Sequence, residues 1–159
     1  MTTFLDTSIL ISLLKPSEAN HVWAKAQFNT LIERGPIIIS DVVYSEISVT
    51  YPDVAAVDLV LNELGVSRYP GNDQALFTAG RAFHKYKKVN KGAKTGVLAD
   101  FFIGATAHEE NAPLLTDNKR DFTGYFDGLT LIVPPKPITM TAVAVAPAPT
   151  AGGTIKTGE

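Results

Sequence analysis

Residues 3–14, TFLDTSILISLL, determine how the chain begins to fold. Residues 3–5 are typical of a short buried strand, and the apolar run at residues 9–14 indicates a helix. Asp6 therefore lies where a strand ends and a helix begins. In open α/β sheets this edge binds ligands, because loops and helix N-termini leave a crevice there. The alternative is that Asp6 only caps the helix, since Asp and Ser are preferred residues at that position.

Strand-like and helix-like runs alternate along the rest of the chain. Short strands are predicted at residues 36–40, 66–69, 113–116 and 129–133. Helices are predicted to begin at residues 16–18, 40–41, 52–53, 72–73 and 97, and a short turn or helix at residue 121. In the first of these helices, the predicted apolar stripe comprises Val22, Trp23, Ala26, Phe28, Leu31 and Ile32. The alternation predicts an α/β fold in which helices cover a parallel sheet.

The length and composition of the chain restrict its class. At 159 residues it fits one domain that is large enough for a single core. The chain has no cysteine, which excludes disulfides and thiolate metal sites, so a bound metal would need oxygen or histidine ligands. No apolar run reaches the ~20 residues that span a bilayer, and the N-terminus lacks the pattern of a signal peptide. We therefore expect a cytoplasmic protein.

The composition changes at residue 134. Residues 1–133 hold the strand and helix patterns, whereas residues 134–159 contain five prolines together with alanine, threonine and glycine. Such a composition is typical of a flexible tail or linker. We therefore predict one domain at residues 1–133 and a tail at residues 134–159, in which residues 140–145 could form an accessory strand.

Charge is unevenly distributed along the chain, although the net charge is only −2. No acid occurs between Asp73 and Asp100, and this interval holds six of the fourteen basic residues: Arg81, Lys85, Lys87, Lys88, Lys91 and Lys94. A phosphodiester backbone would be attracted to such a surface by charge and counterion release. The alternative is a solvated helix end, because lysines in the last turn of a helix interact favourably with its dipole.

Five acids follow strand-like runs or lie near predicted helix starts: Asp6, Glu46, Asp100, Asp117 and Asp121. In the predicted sheet they would share one edge. Close carboxylates repel each other and remain charged together only if a cation neutralises them. Magnesium, or manganese, is the natural partner because hard divalent ions prefer oxygen ligands. Such an ion lowers the pKa of a bound water and stabilises charge on a phosphate, so the predicted chemistry is phosphodiester hydrolysis.

Four segments carry a resemblance to a known family. They are residues 5–8 (LDTS), 45–47 (SEI), 97–107 (VLADFFIGATA) and 114–122 (LLTDNKRDF). Together they resemble the four acidic motifs of PIN-domain ribonucleases, most closely those of the VapC toxins of type II toxin–antitoxin modules. The resemblance covers residues 2–133. It implies a three-layer α/β/α sandwich around a short parallel sheet, and a toxin that cleaves RNA as a magnesium-dependent endoribonuclease.

The resemblance also implies roles for individual residues. Asp6 and Asp100 would be the main ligands of one or two magnesium ions, and Glu46 would hold a metal directly or through water. Ser8 and Thr116 would support the site through their hydroxyl groups. From its charge alone, we expect the basic segment described above to hold or steer the RNA backbone.

The fourth motif departs from the family pattern. Family members often place an acid two residues after the threonine, and this chain has Asn118 there. Asparagine can coordinate a metal through its carbonyl oxygen but carries no charge, so a second metal position would be weaker. Asp121 or Asp117 is expected to substitute for the acid. The alternative is that Asp121 only caps the turn that follows.

Partners are implied by the same resemblance. VapC toxins usually form homodimers, and a cognate antitoxin holds them inactive with a C-terminal segment that wraps the toxin. The apolar residues of segments 22–32 and 54–64 are candidate contact surfaces, although they could equally be ordinary core.

Other protein classes fit only part of the pattern. A receiver domain needs an adjacent acidic pair after its first strand, and Asp6 has no acidic neighbour. A haloacid-dehalogenase-type phosphatase needs an Asp-x-Asp motif, where this chain has Asp6, Thr7 and Ser8. A non-catalytic RNA-binding or assembly module on a decayed PIN scaffold is the stronger alternative, and Asn118 favours it. The histidines lack metal-ligand spacing and are predicted to be surface or packing residues: His21, His84 and His108.

Overall fold

Five short parallel strands form the centre of the part of the fold that the structure describes. The computed structural model describes residues 1–90 and 98–135. The strands are β1 Thr3–Leu5, β2 Ile37–Ser40, β3 Val66–Tyr69, β4 Leu114–Leu115 and β5 Leu131–Ile132. The helices are α1 Thr7–Leu14, α2 His21–Ile32, α3 Asp41–Ser48, α4 Val54–Leu64, α5 Asp73–Asn90, α6 Leu98–Glu109 and α7 Lys119–Phe122. The predicted α/β/α sandwich around a short parallel sheet is confirmed. None of the described helices is long and apolar enough to span a membrane.

The strand order places β1 at the centre of the sheet. The order is β3-β2-β1-β4-β5, and each neighbouring pair is parallel. Phe4 of β1 aligns with Ile38 of β2 on one side and with Leu114 of β4 on the other. From β1 the chain builds outward to β3 and then crosses over to β4. The topological switch point therefore lies between β1 and β4, where open α/β sheets form their ligand crevice.

Polar side chains cap α1, α3, α4 and α5 at the predicted starts. Asp6 Oδ1 accepts a hydrogen bond from Thr7 N at 2.8 Å. Ser40, Asp53 and Asn72 accept hydrogen bonds from the backbone N–H groups of Val43, Ala56 and Ala75 at 3.4, 2.9 and 2.8 Å. α4 ends at Gly65, whose φ of 69° is the left-handed conformation that glycine adopts without a steric penalty. These local signals explain why the alternation of elements could be predicted.

The predicted start of α2 at residues 16–18 was wrong. The chain forms turns there, with hydrogen bonds from Glu18 N to Lys15 O and from His21 N to Glu18 O, and the helix begins at His21. A tertiary contact holds this start in place, because His21 Nδ1 lies 2.7 Å from the carbonyl oxygen of Ser12 in α1. Such a contact between two helices has no signature in the local sequence.

The predicted apolar stripe of α2 was also partly wrong. The buried residues of the helix are Ala24, Phe28 and Leu31, which follow the spacing of one helical face. Val22 is 80% exposed, and Ala26 is exposed as well. The stripe included residues from two faces because the apolar residues of this segment are not confined to the side that meets the core.

α6 is buried along most of its length and packs against α5. The ring centroid of Phe101 lies 4.9 Å from that of Tyr125 and 5.7 Å from that of Tyr86. One turn further on, the rings of Phe122 and Phe126 approach the backbone of Gly104 closely. These contacts hold the first turn of α6 in place between α5 and the segment that follows β4.

The predicted tail lies almost entirely outside the described residues. Only residues 134–135 of the segment 134–159 are described, and they follow β5 without regular structure. The boundary after residue 133 and the accessory strand at residues 140–145 therefore stay predictions.

Candidate active site

Asp6 lies at the centre of the candidate site. Its side chain follows β1 at the switch point and is buried, with 4% of the residue exposed. Besides the cap to Thr7 N, its Oδ2 accepts hydrogen bonds from Thr116 Oγ1 at 2.6 Å and from Ser8 Oγ at 3.2 Å. The two hydroxyl groups predicted to support the site, those of Ser8 and Thr116, thus contact the same carboxylate oxygen.

Burial raises the pKa of the Asp6 carboxyl above its ordinary value. The hydrogen bonds from Thr116, Ser8 and Thr7 lower the pKa, but the net shift is upward, and the negative charge of Asp117 adds to it. A buried acid next to a second acid favours either a proton or a cation at this position. The available donors are oxygen atoms, which fit a hard divalent ion such as Mg²⁺.

The raised pKa of Asp6 predicts the direction of a pH effect on stability. Because the pKa in the folded protein lies above the ordinary value of 3.8, the folded state binds more protons than the unfolded state between these two pKa values. The free energy of unfolding should therefore decrease as the pH rises through that interval, in buffer that contains EDTA. Urea unfolding at a series of pH values measures this slope.

The slope should become weaker in Asp6→Asn, which cannot titrate at position 6. Asp73→Asn is the matched control, because Asp73 is an exposed acid in the first turn of α5. It should keep the pH dependence of the unmodified protein. A slope in Asp6→Asn equal to that of the control would contradict the assignment of the effect to Asp6.

Thr7 connects Asp6 to Glu46. The backbone N–H of Thr7 donates to Asp6 Oδ1, and the Thr7 hydroxyl donates to Glu46 Oε2 of α3. One residue therefore donates hydrogen bonds to two of the predicted metal ligands. Thr7 was not among the predicted site residues, although its position in the LDTS segment was a usable signal.

Asp117 joins the site from the segment after β4. Asn20 Nδ2 donates a hydrogen bond to Asp117 Oδ2 at 2.9 Å, across 97 residues of sequence. Asn20 occupies the N-cap position of α2 but makes no side-chain capping bond to its own helix. The side chain that would ordinarily cap α2 orients an acid of the candidate site instead. No signal in the sequence could have identified this pair.

Asp121 lies in a different environment. Asn118 Nδ2 donates to Asp121 Oδ2 at 2.8 Å, and Arg120 Nε lies 3.6 Å from Asp121 Oδ1. Asn118 also donates its backbone N–H to Thr116 Oγ1 at 2.9 Å. Asn118 therefore connects Thr116 and Asp121 through hydrogen bonds, and these bonds organise the turn between β4 and α7.

Asp100 lies in the first turn of α6, and its side chain is partly buried. α6 packs against α3, which carries Glu46, and α3 packs against α1. The fold thus connects Asp6 with Glu46 through Thr7, places Asp117 near enough to act on the pKa of Asp6, and packs the helix of Asp100 against the helix of Glu46. Within residues 1–90 and 98–135, no three His, Asp or Glu side chains lie close enough together to form a metal-binding group.

Comparison with known proteins identifies the family. The sequence profile of the PIN domain matches residues 3–125, which include all five acids. The chain belongs to the PIN domain family. No curated protein matches the sequence.

Solved structures share this PIN fold. VapBC2 from Rickettsia felis, bound to a DNA fragment from its promoter, is 20% identical with a TM-score of 0.65, and the match covers 85% of this chain and 100% of that one. VapBC-1 from nontypeable Haemophilus influenzae is 22% identical with a TM-score of 0.64, over 84% and 98% of the two chains. VapC20 from Mycobacterium tuberculosis, a toxin that cleaves the sarcin-ricin loop, is 17% identical with a TM-score of 0.52, over 80% and 98%. At these identities the likeness shows the fold.

The basic segment of this PIN domain is only partly described. Arg81, Lys85, Lys87 and Lys88 lie on α5, whereas Lys91 and Lys94 fall outside the described residues. Lys85 Nζ donates to the carbonyl oxygen of Gly124 at 2.7 Å, and Lys87 Nζ lies 5.3 Å from the ring centroid of Phe83. The basic residues therefore do not form one uniform surface.

Two histidines of the PIN domain, His21 and His108, make contacts within the fold, and the third lies at the surface. His21 contacts Ser12 as described above. His108 Nε2 lies 3.1 Å from the carbonyl oxygen of Asp127, and its Nδ1 lies 3.3 Å from Glu109 Oε1. His84 is exposed on α5.

Proposed function

We propose that this PIN-domain protein is a magnesium-dependent endoribonuclease and acts as the toxin of a toxin–antitoxin pair. The observation that carries the proposal is the buried Asp6 at the switch point, with Asp117 close enough to raise its pKa and Glu46 joined to it through Thr7. A buried carboxylate with a second acid near it has no use as packing, because burial disfavours its charge. It fits a site that receives a cation.

The residues of this chain would divide the work as follows. Asp6 and Asp100 are the proposed main ligands, and Glu46, oriented by the Thr7 hydroxyl, would hold a metal directly or through water. When bound, Mg²⁺, or Mn²⁺ in its place, lowers the pKa of a water molecule and stabilises the charge that develops on the phosphate. Ser8 and Thr116 keep the Asp6 carboxylate in one orientation through their hydroxyl groups.

We favour Asp117 over Asp121 as the fourth acid. The charge of Asp117 raises the pKa of Asp6, so the two carboxylates are close to each other. The Asp121 carboxylate contacts Asn118 and Arg120. Asp117 is therefore better placed to share a cation with Asp6.

Two asparagine variants would show whether Asp117 or Asp121 shares the cation. Asn20→Ala removes the donor to Asp117, and Asn118→Ala removes the side-chain donor to Asp121. Loss of a residue that orients a metal ligand typically reduces metal affinity about 10- to 100-fold. We expect Asn20→Ala to weaken Mn²⁺ binding by about tenfold in this range, with little change in Asn118→Ala, as measured by calorimetry without RNA. The reverse pattern would assign the role to Asp121.

Partners and location are proposed from the likeness to VapBC complexes. A cognate antitoxin, a homodimer and a cytoplasmic location fit that likeness. The apolar residues of α2 and α4 divide between core and surface: Val57 and Leu61 are buried, whereas Val22, Val54 and Leu59 are exposed. The exposed ones are the proposed contacts with a second chain.

Incubation of the purified protein, freed of any partner, with mixed cellular RNA tests the enzymatic proposal. We expect discrete fragments in Mg²⁺ and none in EDTA. Fragments that end in a 5′ phosphate and a 3′ hydroxyl would agree with water as the nucleophile. RNA that binds but stays intact in every divalent ion would favour the alternative, a non-catalytic RNA-binding module. This alternative is favoured by Asn118, which stands where family members often have an acid.

A further inference from the structure

One face of α5 presents an aromatic ring and basic groups in a single line. Phe77, Arg81, His84 and Lys88 are separated by four, three and four residues, which places them on one side of the helix. All four are exposed, and Phe77 is exposed by 64%. At 1.5 Å per residue the line is about 16 Å long.

These residues line a groove of about 520 Å³ between α5 and the segment after α7, which contributes Tyr125. The described residues of the lining include Arg81, Lys85 and Lys88 but no acidic residue. Among the described residues, no carboxylate forms an ion pair with Arg81 or Lys88. The groove therefore has a net positive charge that the described part of the protein does not neutralise.

The groove leads toward the candidate active site. Near the start of α5, Thr78 Oγ1 donates to Glu109 Oε1 at the end of α6, at 2.7 Å. Near the end of α5, the Tyr86 ring contacts Phe101, the neighbour of Asp100 in the first turn of α6. The two helices are therefore antiparallel, and the Lys88 end of the groove lies on the same side as Asp100.

We propose that this groove binds single-stranded RNA, with phosphates at Arg81 and Lys88 and a base stacked on Phe77. The proposal deepens the proposed function and rests on it. Proteins that bind single strands combine a positively charged groove with aromatic side chains on which bases stack. A protein partner would also need neutralising acids, whereas a nucleic acid supplies charge and flat rings together. Lys85, which donates to Gly124, shapes the wall of the groove.

Binding of a fluorescent single-stranded RNA, measured by anisotropy in EDTA at several salt concentrations, tests the groove separately from catalysis. Phe77→Ser should weaken binding about tenfold, because stacking contributes at this level. In the double variant Arg81→Gln with Lys88→Gln, the slope of log K against log [salt] should become less steep by about 0.7 for each lost phosphate contact. Leu76→Ser and Lys25→Gln are the matched controls, because both residues are exposed and lie outside the groove. They should bind RNA as the unmodified protein does.

The possible outcomes distinguish the groove proposal from the nuclease proposal. If the unmodified protein cleaves RNA in Mg²⁺ but the groove variants bind RNA with unchanged affinity and salt dependence, the groove proposal is wrong and the nuclease proposal stands. If the variants lose affinity as expected while neither the unmodified protein nor any variant cleaves RNA, the groove proposal is supported and the nuclease proposal is not. If the variants instead change the sedimentation mass without any effect on RNA binding, the face contacts a second copy, and the RNA proposal is overturned.

Discussion

Asp100→Asn is expected to abolish RNA cleavage while the fold stays intact. The substitution keeps the size of the side chain but removes its charge, so a divalent cation loses one of its proposed main ligands. Loss of a preorganised electrostatic group in an active site commonly reduces the rate by a factor on the order of a hundred to a thousand. We expect a loss at least of this order, in an assay of RNA fragments at saturating Mg²⁺.

Asp73→Asn is the control that matches this change. Both acids lie in the first turn of a helix, so both substitutions remove a negative charge from the N-terminal end of a helix. The two variants should therefore have similar melting temperatures and circular dichroism spectra, and only Asp100→Asn should lose cleavage. Full activity in Asp100→Asn would reject the assignment of Asp100. Equal loss in both variants would point to damage of the fold.

Gly104→Ala should destabilise the protein, although alanine is ordinarily favoured over glycine inside a helix. A Cβ atom at this position would lie 2.6 Å from Phe126 Cε2 and 2.8 Å from Phe122 Cδ1, both in rings buried against α6. Overpacking of this kind costs about 1–3 kcal/mol. The intrinsic preference of a helix for alanine, about 1 kcal/mol, would offset part of this loss.

Gly80→Ala is the matched control on α5. Gly80 also lies inside a helix, but among the described residues no atom beyond its chain neighbours and the adjacent helix backbone lies within 4 Å of the position that a Cβ would take. Here the preference for alanine acts without a clash, so the free energy of unfolding should increase by about 0.5–1 kcal/mol. Urea unfolding of both variants measures the contrast. If Gly104→Ala is as stable as Gly80→Ala, the two phenyl rings can move aside and the packing argument is wrong.

The parts of the fold that local chemistry determines could be predicted from the sequence. Asp53 and Gly65 delimit α4, and Asn72 begins α5, because each satisfies a helix end by itself. The position of Asp6 after a buried strand was predicted in the same way. In contrast, the start of α2 depends on a contact between His21 and Ser12 that forms only once α1 and α2 have packed together.

The same distinction between local signals and tertiary contacts applies to the candidate site. Its acids could be proposed because strand ends of a parallel sheet meet at one edge. The residues that orient them could not, since Asn20 meets Asp117 across 97 residues, and no pattern of spacing connects the two. From the sequence, Asn118 could be described only as the replacement of an acid. In the structure it links Thr116 with Asp121 through hydrogen bonds.

The burial of Asp6 also bears on how long the protein would survive in a cell. A ligand that binds only the folded state increases the free energy of unfolding by mass action. If the proposed cation site is correct, the same ion that supports cleavage would protect the chain from proteases, which attack opened molecules first. Depletion of the ion would then lower the abundance of the protein as well as its activity.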